Sequence, residues 1–225
     1  MQRDHVADHL LFFTRFPQSG EVKSRLAMEI GDAGALAVHD AMAHYCLTKA
    51  EAAAMSINAL LRVLITGASL ADAADWLGER HLFVDQGDGD LGVRVERAIR
   101  ASIRLGAKRI VVVGSDCPAL TPSLIVTAFD VLTSNPVALG PAADGGFYLL
   151  GIDAGMSATL PLLLADLPWG TNRARARLQQ NANDLYSTVR LLPMLGDVDT
   201  LADIDADRWP WLAAAAGLLP QAVAG

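Results

Sequence analysis

Apolar positions along the chain gather into short continuous runs separated by longer amphipathic stretches. Residues 10–13, 61–66, 81–84, 110–113, 137–140 and 147–152 are such runs, rich in β-branched and aromatic side chains and bounded by Gly, Pro or Asp. Runs this short, without strict alternation, predict strands covered on both faces. Between them the spacing becomes helical. Residues 32–55 place Leu36, His39, Met42 and Ala43 roughly on one face, and 91–105 repeat Leu91, Val95, Ala98, Ile99 and Ser102 at three- and four-residue steps. Ser69, Asp90 and Thr121 stand where N-caps belong, with Pro122 at the first helical position. Residues 157–164 read as helix, a helix capped by Thr171 or Asn172 runs to about 181, a late strand spans 186–192, and a helix follows over 201–207. The Ala/Leu-rich tail from Trp209 predicts a helix covering the sheet or a homo-oligomer contact. Strands alternating with helices predict an α/β fold: three layers, α/β/α, around a mostly parallel, Rossmann-like sheet.

Composition narrows this. The chain has 225 residues, 52% of them hydrophobic and only 19% charged, enough for one well-buried α/β domain over 1–225 and short for two. With net charge −7 and no Lys/Arg-dense stretch it lacks the electrostatic footprint of a nucleic-acid binder. An acidic chain that binds nucleotides must concentrate its few cations at the phosphates, and a divalent metal would help. Cys46 and Cys117 form no CxxC pair and predict reduced, partly buried thiols. No apolar stretch is long enough for a membrane span, and Asp4 and Asp8 precede only a brief hydrophobic run, so neither a span nor a signal peptide is expected and the cytoplasm is the expected location.

Candidate chemistry clusters after the strands. The run 110–113 ends at Gly114-Ser115-Asp116, which places a carboxylate at a strand's carboxyl end, where open α/β sheets bind ligands. Asp116 either caps the following amides or binds metal. Asp197 and Asp199, separated by one residue, share a side if extended, and are either helix caps or metal ligands. One Asp from each segment meets the need of Mg²⁺ or Mn²⁺, which keeps several waters and uses few protein carboxylates when phosphates supply the rest. Asp144, beside Gly145 and Gly146, is either a turn residue or a group that holds sugar hydroxyls or takes the acceptor's proton. A loop after the first strand holds Arg15, Gly20, Lys23 and Arg25, cations and backbone amides of the kind a diphosphate requires, without a Walker pattern. The Asp/Gly-rich stretch 85–92 lacks the ligand order of an EF-hand and reads as the approach to a helix.

Six segments in order, TRFPQSGEVKSRLA, GDGDLG, GSDCPALTP, GPAADGGFYLLG, PWGTNRARARL and GDVDT, resemble the bacterial glycosyltransferase family of the glycosyltransferase-A fold, the arsenosugar-biosynthesis type, within the nucleotide-diphospho-sugar transferase superfamily. The resemblance runs from about residue 10 to about 205. It implies that the Lys23 and Arg25 loop approaches the nucleotide's phosphates and that Gln86, Gly89, Asp90 and Gly92 shape the nucleotide pocket. It implies also that Gly145, Gly146, Trp169 and Thr171 face the sugar or acceptor; the family usually has Ser where Gly170 stands. The implied activity is metal-dependent glycosyl transfer from a nucleotide sugar to a small-molecule acceptor. Two alternatives remain: nucleotidyl transfer from an NTP with release of pyrophosphate, and nucleotide binding without turnover.

Overall fold

The computed structural model describes residues 7–218. The start of the chain with Asp4, the end of the Ala/Leu-rich tail and hence both ends of the span 1–225 lie outside them. Strands β1 (Asp8–Arg15), β2 (Leu60–Thr66), β3 (Phe83–Asp85), β4 (Arg109–Gly114), β5 (Val137–Pro141), β6 (Phe147–Asp153) and β7 (Val189–Leu191) form one sheet in the order β3-β2-β1-β4-β6-β5-β7. Every pairing is parallel except those of β6, which runs antiparallel to β4 and β5.

The helices are α1 (Ser24–Ile57), α2 (Leu70–Leu77), α3 (Leu91–Arg104), α4 (Pro122–Val131), α5 (Leu160–Leu163), α6 (Ala174–Asp184) and α7 (Pro210–Ala215). Alternation along β1 divides the core. Leu10 and Phe12 pack with α1, α2, α4 and α7, while Leu11 and Phe13 pack with α3, α5 and α6. Both faces of the sheet are therefore covered, which is why its strands are apolar throughout, and the fold is the three-layer α/β/α arrangement that the periodicity predicts. The tail packs on α1, with the Tyr45 and Trp211 rings 4.5 Å apart.

Topology fixes where chemistry can sit. β1, β2, β3, β4, β5 and β7 all end at one edge of the sheet, and antiparallel β6 begins there. The loops at 16–23, 86–90, 115–121, 142–146 and 192–200 consequently share that edge.

Local endings depart from the sequence reading in four places. Helix α1 begins at Ser24, because the segment before the non-helical Gly31 is helical too. The span 157–164 divides into a 3₁₀ turn, Ala154–Ala158, and the short α5. The strand expected over 186–192 is confined to Val189–Leu191, since α6 runs on to Asp184 and closes with Tyr186 in the left-handed region, its amide on Asn183 O and that of Ser187 on Ala182 O. The helix expected over 201–207 is a 3₁₀ turn, Leu201–Asp203, because Asp203 accepts from Thr200 in a capping box and Ile204 is already extended.

Gln86 ties the edge together. Its buried amide donates to Thr14 O at 3.0 Å and Leu64 O at 2.9 Å, bridging the ends of β1 and β2. Replacing it with leucine keeps the volume and removes both donors, so Gln86→Leu is expected to cost about 1–3 kcal/mol. In a chain of this size each kcal/mol corresponds to about 2–4 °C of thermal midpoint. Unfolding curves that coincide with wild type would show the bridge to be idle.

Candidate active site

A cleft of about 300 Å³ opens at the carboxyl edge. Asp116 follows β4, Asp144 sits in the β5–β6 turn, and Asp197 and Asp199 follow β7; all four line the cleft. The rest of the lining is mainly apolar, from β1, β4, β6, α3 and the segment containing Trp169.

Backbone contacts enforce this convergence. Val198, itself fully buried, donates its amide to Asp116 O at 3.0 Å, and the Cys117 thiol lies 3.3 Å from Gly196 O. Lys23 then crosses beneath them: its Nζ donates to Asp116 Oδ1 at 2.6 Å and to Val198 O at 2.7 Å, and lies 3.9 Å from Asp199 Oδ1. The Lys23 side chain is 3% exposed, whereas that of Asp116 is 56% exposed. A buried ammonium thus binds a carboxylate whose other side faces the cleft. Arg25 Nη1 donates to Asp199 Oδ2 at 3.2 Å. Lys23 adopts the left-handed region (φ 46°) as the residue before α1, a backbone conformation that costs about 1–2 kcal/mol outside glycine and that its ammonium contacts offset. Neither aspartate segment is a cap: the Asp116 carboxylate takes Lys23 rather than backbone amides, and Thr200 caps the 3₁₀ turn after Asp199.

The carboxylates are not electrostatically equal. Enclosure by protein pushes Asp116 up, but the Lys23 charge and hydrogen bond, with a smaller effect of His39, outweigh it and hold the group below the usual carboxylate range. Asp197 is raised by burial and then by Asp144, Asp199 and Asp116. Asp199 is also raised, mainly by burial, with Asp116 and Asp144 adding to it against Lys23 and Arg25. The cleft therefore carries carboxylates whose charge its own cations leave partly uncompensated.

Other residues singled out in the sequence divide between the cleft and its supports. Gly146, Trp169 and Thr171 line it. Asp144 accepts the Gly146 amide at 2.7 Å through one oxygen, so it is a turn residue that also faces the cleft. Gly145, at φ +93°, lies where a Cβ would collide with Asn172 O, and a Cβ on Gly92 would meet Trp169 Nε1 at 2.5 Å. The 168–173 segment is thus seated on two glycines. The residue that precedes α6 is Arg173, and the Thr171 hydroxyl instead donates to Pro168 O at 2.7 Å, so neither Thr171 nor Asn172 is the N-cap. Arg15 pairs with Glu21 at 2.8 Å in the loop that turns at Gly20. Gln86, Gly89 and Asp90 are supports: the Gln86 amide is spent on two strands, Asp90 caps α3 through Val93 N at 2.9 Å, and Gly89 O receives Arg94 Nε at 2.8 Å.

Sequence reasoning missed the residues that hold these loops. Arg97 donates to Gln86 O at 2.6 Å and Asp88 O at 2.7 Å, and Arg94 donates to Gly89 O, so α3 clamps the loop before it; their three-residue spacing on the helix that follows an Asp/Gly-rich loop was the available signal. Behind the cation loop, buried His39 bonds Arg15 O at 2.9 Å, and Trp76 packs edge-on to Phe16 while donating to Asp40 at 2.6 Å. Nothing local in the sequence marks either contact.

Among the described residues no three His, Cys, Asp or Glu side chains are grouped to hold a metal by themselves. The rim nonetheless fits a divalent ion that arrives with phosphate, because Asp116 and Asp199, both close to one ammonium, are hard oxygen donors in the number Mg²⁺ ordinarily takes from protein. Among the described residues no helix is long and apolar enough to cross a membrane.

Known structures share this architecture. A candidate nucleotide-diphospho-sugar transferase from Desulfovibrio desulfuricans G20 superposes with a TM-score of 0.81 at 27% identity, over 89% of this chain and 86% of that one. The CTP complex of CMP:2-keto-3-deoxy-manno-octonic acid synthetase gives 0.55 at 13% identity, over 94% and 99%. The inositol-1-phosphate CTP transferase of T. maritima gives 0.53 at 12%, over 98% and 99%; at these identities the likeness is one of fold. No curated protein matches the chain in sequence. The chain has the nucleotide-diphospho-sugar transferase fold and stands among its transferases. Residues 49–171, from within α1 through Asp116 and Asp144 to Trp169 and Thr171, match the bacterial family described as "uncharacterized protein conserved in bacteria (DUF2064)", and the chain belongs to that family.

Proposed function

We propose that the cleft binds a nucleotide sugar together with Mg²⁺ or Mn²⁺ and transfers its glycosyl group to a small-molecule acceptor, as the resemblance to arsenosugar-type glycosyltransferases implies. One observation carries this reading. Four carboxylates, Asp116, Asp144, Asp197 and Asp199, face the cleft, while Lys23 and Arg25 are the cations paired with them. A diphosphate adds further negative charge, so it enters favourably only with a divalent cation of its own. Asp116 and one or both of Asp197 and Asp199 would hold that ion, which when bound neutralises the departing nucleoside diphosphate.

The chain's own groups do the rest. Arg25, whose side chain is 61% exposed, lies at the rim, where phosphate oxygens can take over its hydrogen bond as a fork, while Lys23 stays buried and holds Asp116 from below as a point charge. Asp144 keeps one carboxylate oxygen outside its turn bond to Gly146, and that oxygen accepts the acceptor's hydroxyl proton as its oxygen attacks the anomeric carbon and the bond to phosphate breaks.

Nucleotidyl transfer is the second reading, favoured by the CTP-using enzymes that share the fold. Incubating the protein with Mg²⁺ or Mn²⁺ and a panel of NTPs and nucleotide sugars separates the two. The expected product is nucleoside diphosphate from a nucleotide sugar; pyrophosphate from an NTP would replace the first reading by the second, and neither product would leave a binding protein.

Two variants sharpen this. Asp116→Asn keeps the shape around the buried Lys23 yet removes its charge partner, so calorimetric heats of metal-dependent nucleotide binding should vanish, with some loss of stability; unchanged heats would remove Asp116 from the site. Asp197 predicts a pH effect. Burial and its carboxylate neighbours raise its folded pKa, so its ionised form disfavours the fold at neutral pH, and this cost disappears as pH falls through the carboxylate range. Without metal, Asp197→Asn should melt above wild type at pH 7, by no more than about 2–4 °C. The gap should close in acid, and a gap that widens in acid contradicts the assignment.

A further inference from the structure

The inner wall of the cleft has a chemistry of its own, distinct from its rim. Among the described residues, every charged residue that lines the cleft is an aspartate, and no Lys, Arg or His does so. Arg173, Arg175 and Arg177, the densest run of cations nearby in sequence, are all outside the lining, and Arg177 is paired with Asp166 at 3.3 Å. Away from the rim the surface is apolar: Phe13 and Val112 from the sheet, Leu91 and Val95 from α3, and Phe147 and Trp169, whose rings meet edge to face at 5.4 Å. Leu91 is 42% exposed at the first turn of α3, a large apolar side chain left open to the cleft.

From this lining we infer that the acceptor is an uncharged, hydroxyl-bearing molecule with a hydrophobic or aromatic face, and that phosphorylated acceptors are rejected. The inference rests on the proposed transferase reading and specifies its second substrate. Two physical arguments support it. A phosphate monoester placed against Phe147 and Trp169 would give up its hydration and find carboxylates instead of donors of opposite charge, so repulsion and desolvation act together. Aromatic and aliphatic walls, by contrast, gain from being covered by apolar surface, and ring faces suit the C–H face of a sugar or an aryl group. The wall is also built in advance. Because Gly92 and Gly145 leave no room for a Cβ beneath the 168–173 segment, Trp169 is set against α3 rather than waiting for a ligand to place it.

The test is equilibrium binding, read without turnover so that it can fail independently of the glycosyl assignment. Phenyl β-D-glucopyranoside and phenyl phosphate are titrated into the full chain with Mg²⁺ and followed by ligand-observed NMR. The glucoside should bind at least about tenfold more tightly, a difference of about 1.4 kcal/mol. Trp169→Ala should weaken glucoside binding about tenfold or more while its circular-dichroism spectrum stays that of wild type. Leu91→Lys, at a position 42% exposed, should raise phenyl phosphate binding by about tenfold. Equal or tighter binding of phenyl phosphate to wild type overturns the inference, as does failure of the glucoside to bind, or indifference of the glucoside to Trp169→Ala. If pyrophosphate release from NTPs displaces the glycosyl reading while these preferences hold, the acceptor class stands and only the donor changes.

Discussion

The site depends on one buried ammonium. Lys23 lies beneath the cleft floor and is satisfied by Asp116 Oδ1, by Val198 O and, more distantly, by Asp199. An unpaired charge at that depth would be prohibitive, so the three segments that meet on it are held in register by the cost of separating them. The Val198 amide on Asp116 O adds a backbone bond to the same junction. Loops from three distant parts of the chain, after β1, β4 and β7, are thereby joined into one surface before any ligand binds.

That junction also sets the charge of the cleft. Because Lys23 is spent on Asp116 and Arg25 on Asp199, little positive charge remains for Asp197 and Asp144, and burial makes the imbalance felt: Asp197 and Asp199 are raised while Asp116 is lowered. Perturbed titration of this kind clusters at functional sites. A surface that repelled its own carboxylates without purpose would be relieved by a single Asn; here the repulsion lies at the edge where the fold's ligands bind.

Much of this was legible in the sequence, for definable reasons. Strands covered on both faces write themselves as apolar runs, so β1, β2, β4, β5 and β6 were visible, and side-chain caps such as Asp90 and Thr121 follow from local chemistry. Asp116 was visible because a carboxylate closing a buried strand has few other uses. Endings set by backbone geometry were not legible. Tyr186 takes a left-handed turn that its residue type does not announce, and Gly31 interrupts α1 without ending it. Contacts between distant segments were equally hidden: Arg94 and Arg97 on the loop before α3, His39 on Arg15 O, and the Gln86 amide on two strands.

Among the described strands β6 alone runs antiparallel to its neighbours, and this explains why Asp144 reaches the cleft. In an all-parallel sheet the chain leaving β5 would cross over one face and return from the far edge, carrying residues 142–146 away from Asp116. Because β6 instead reverses through a tight turn and inserts between β5 and β4, its first residues lie at the carboxyl edge directly beside the end of β4. The turn's geometry follows from that demand: Gly145 sits at positive φ under the backbone of Asn172, and Asp144 spends one oxygen on the Gly146 amide to hold the reversal. One carboxylate oxygen is left over. The same reversal starts β6 at Phe147, so its ring stands at the cleft against Trp169, and the acidic rim and the apolar wall are two consequences of one strand running backwards.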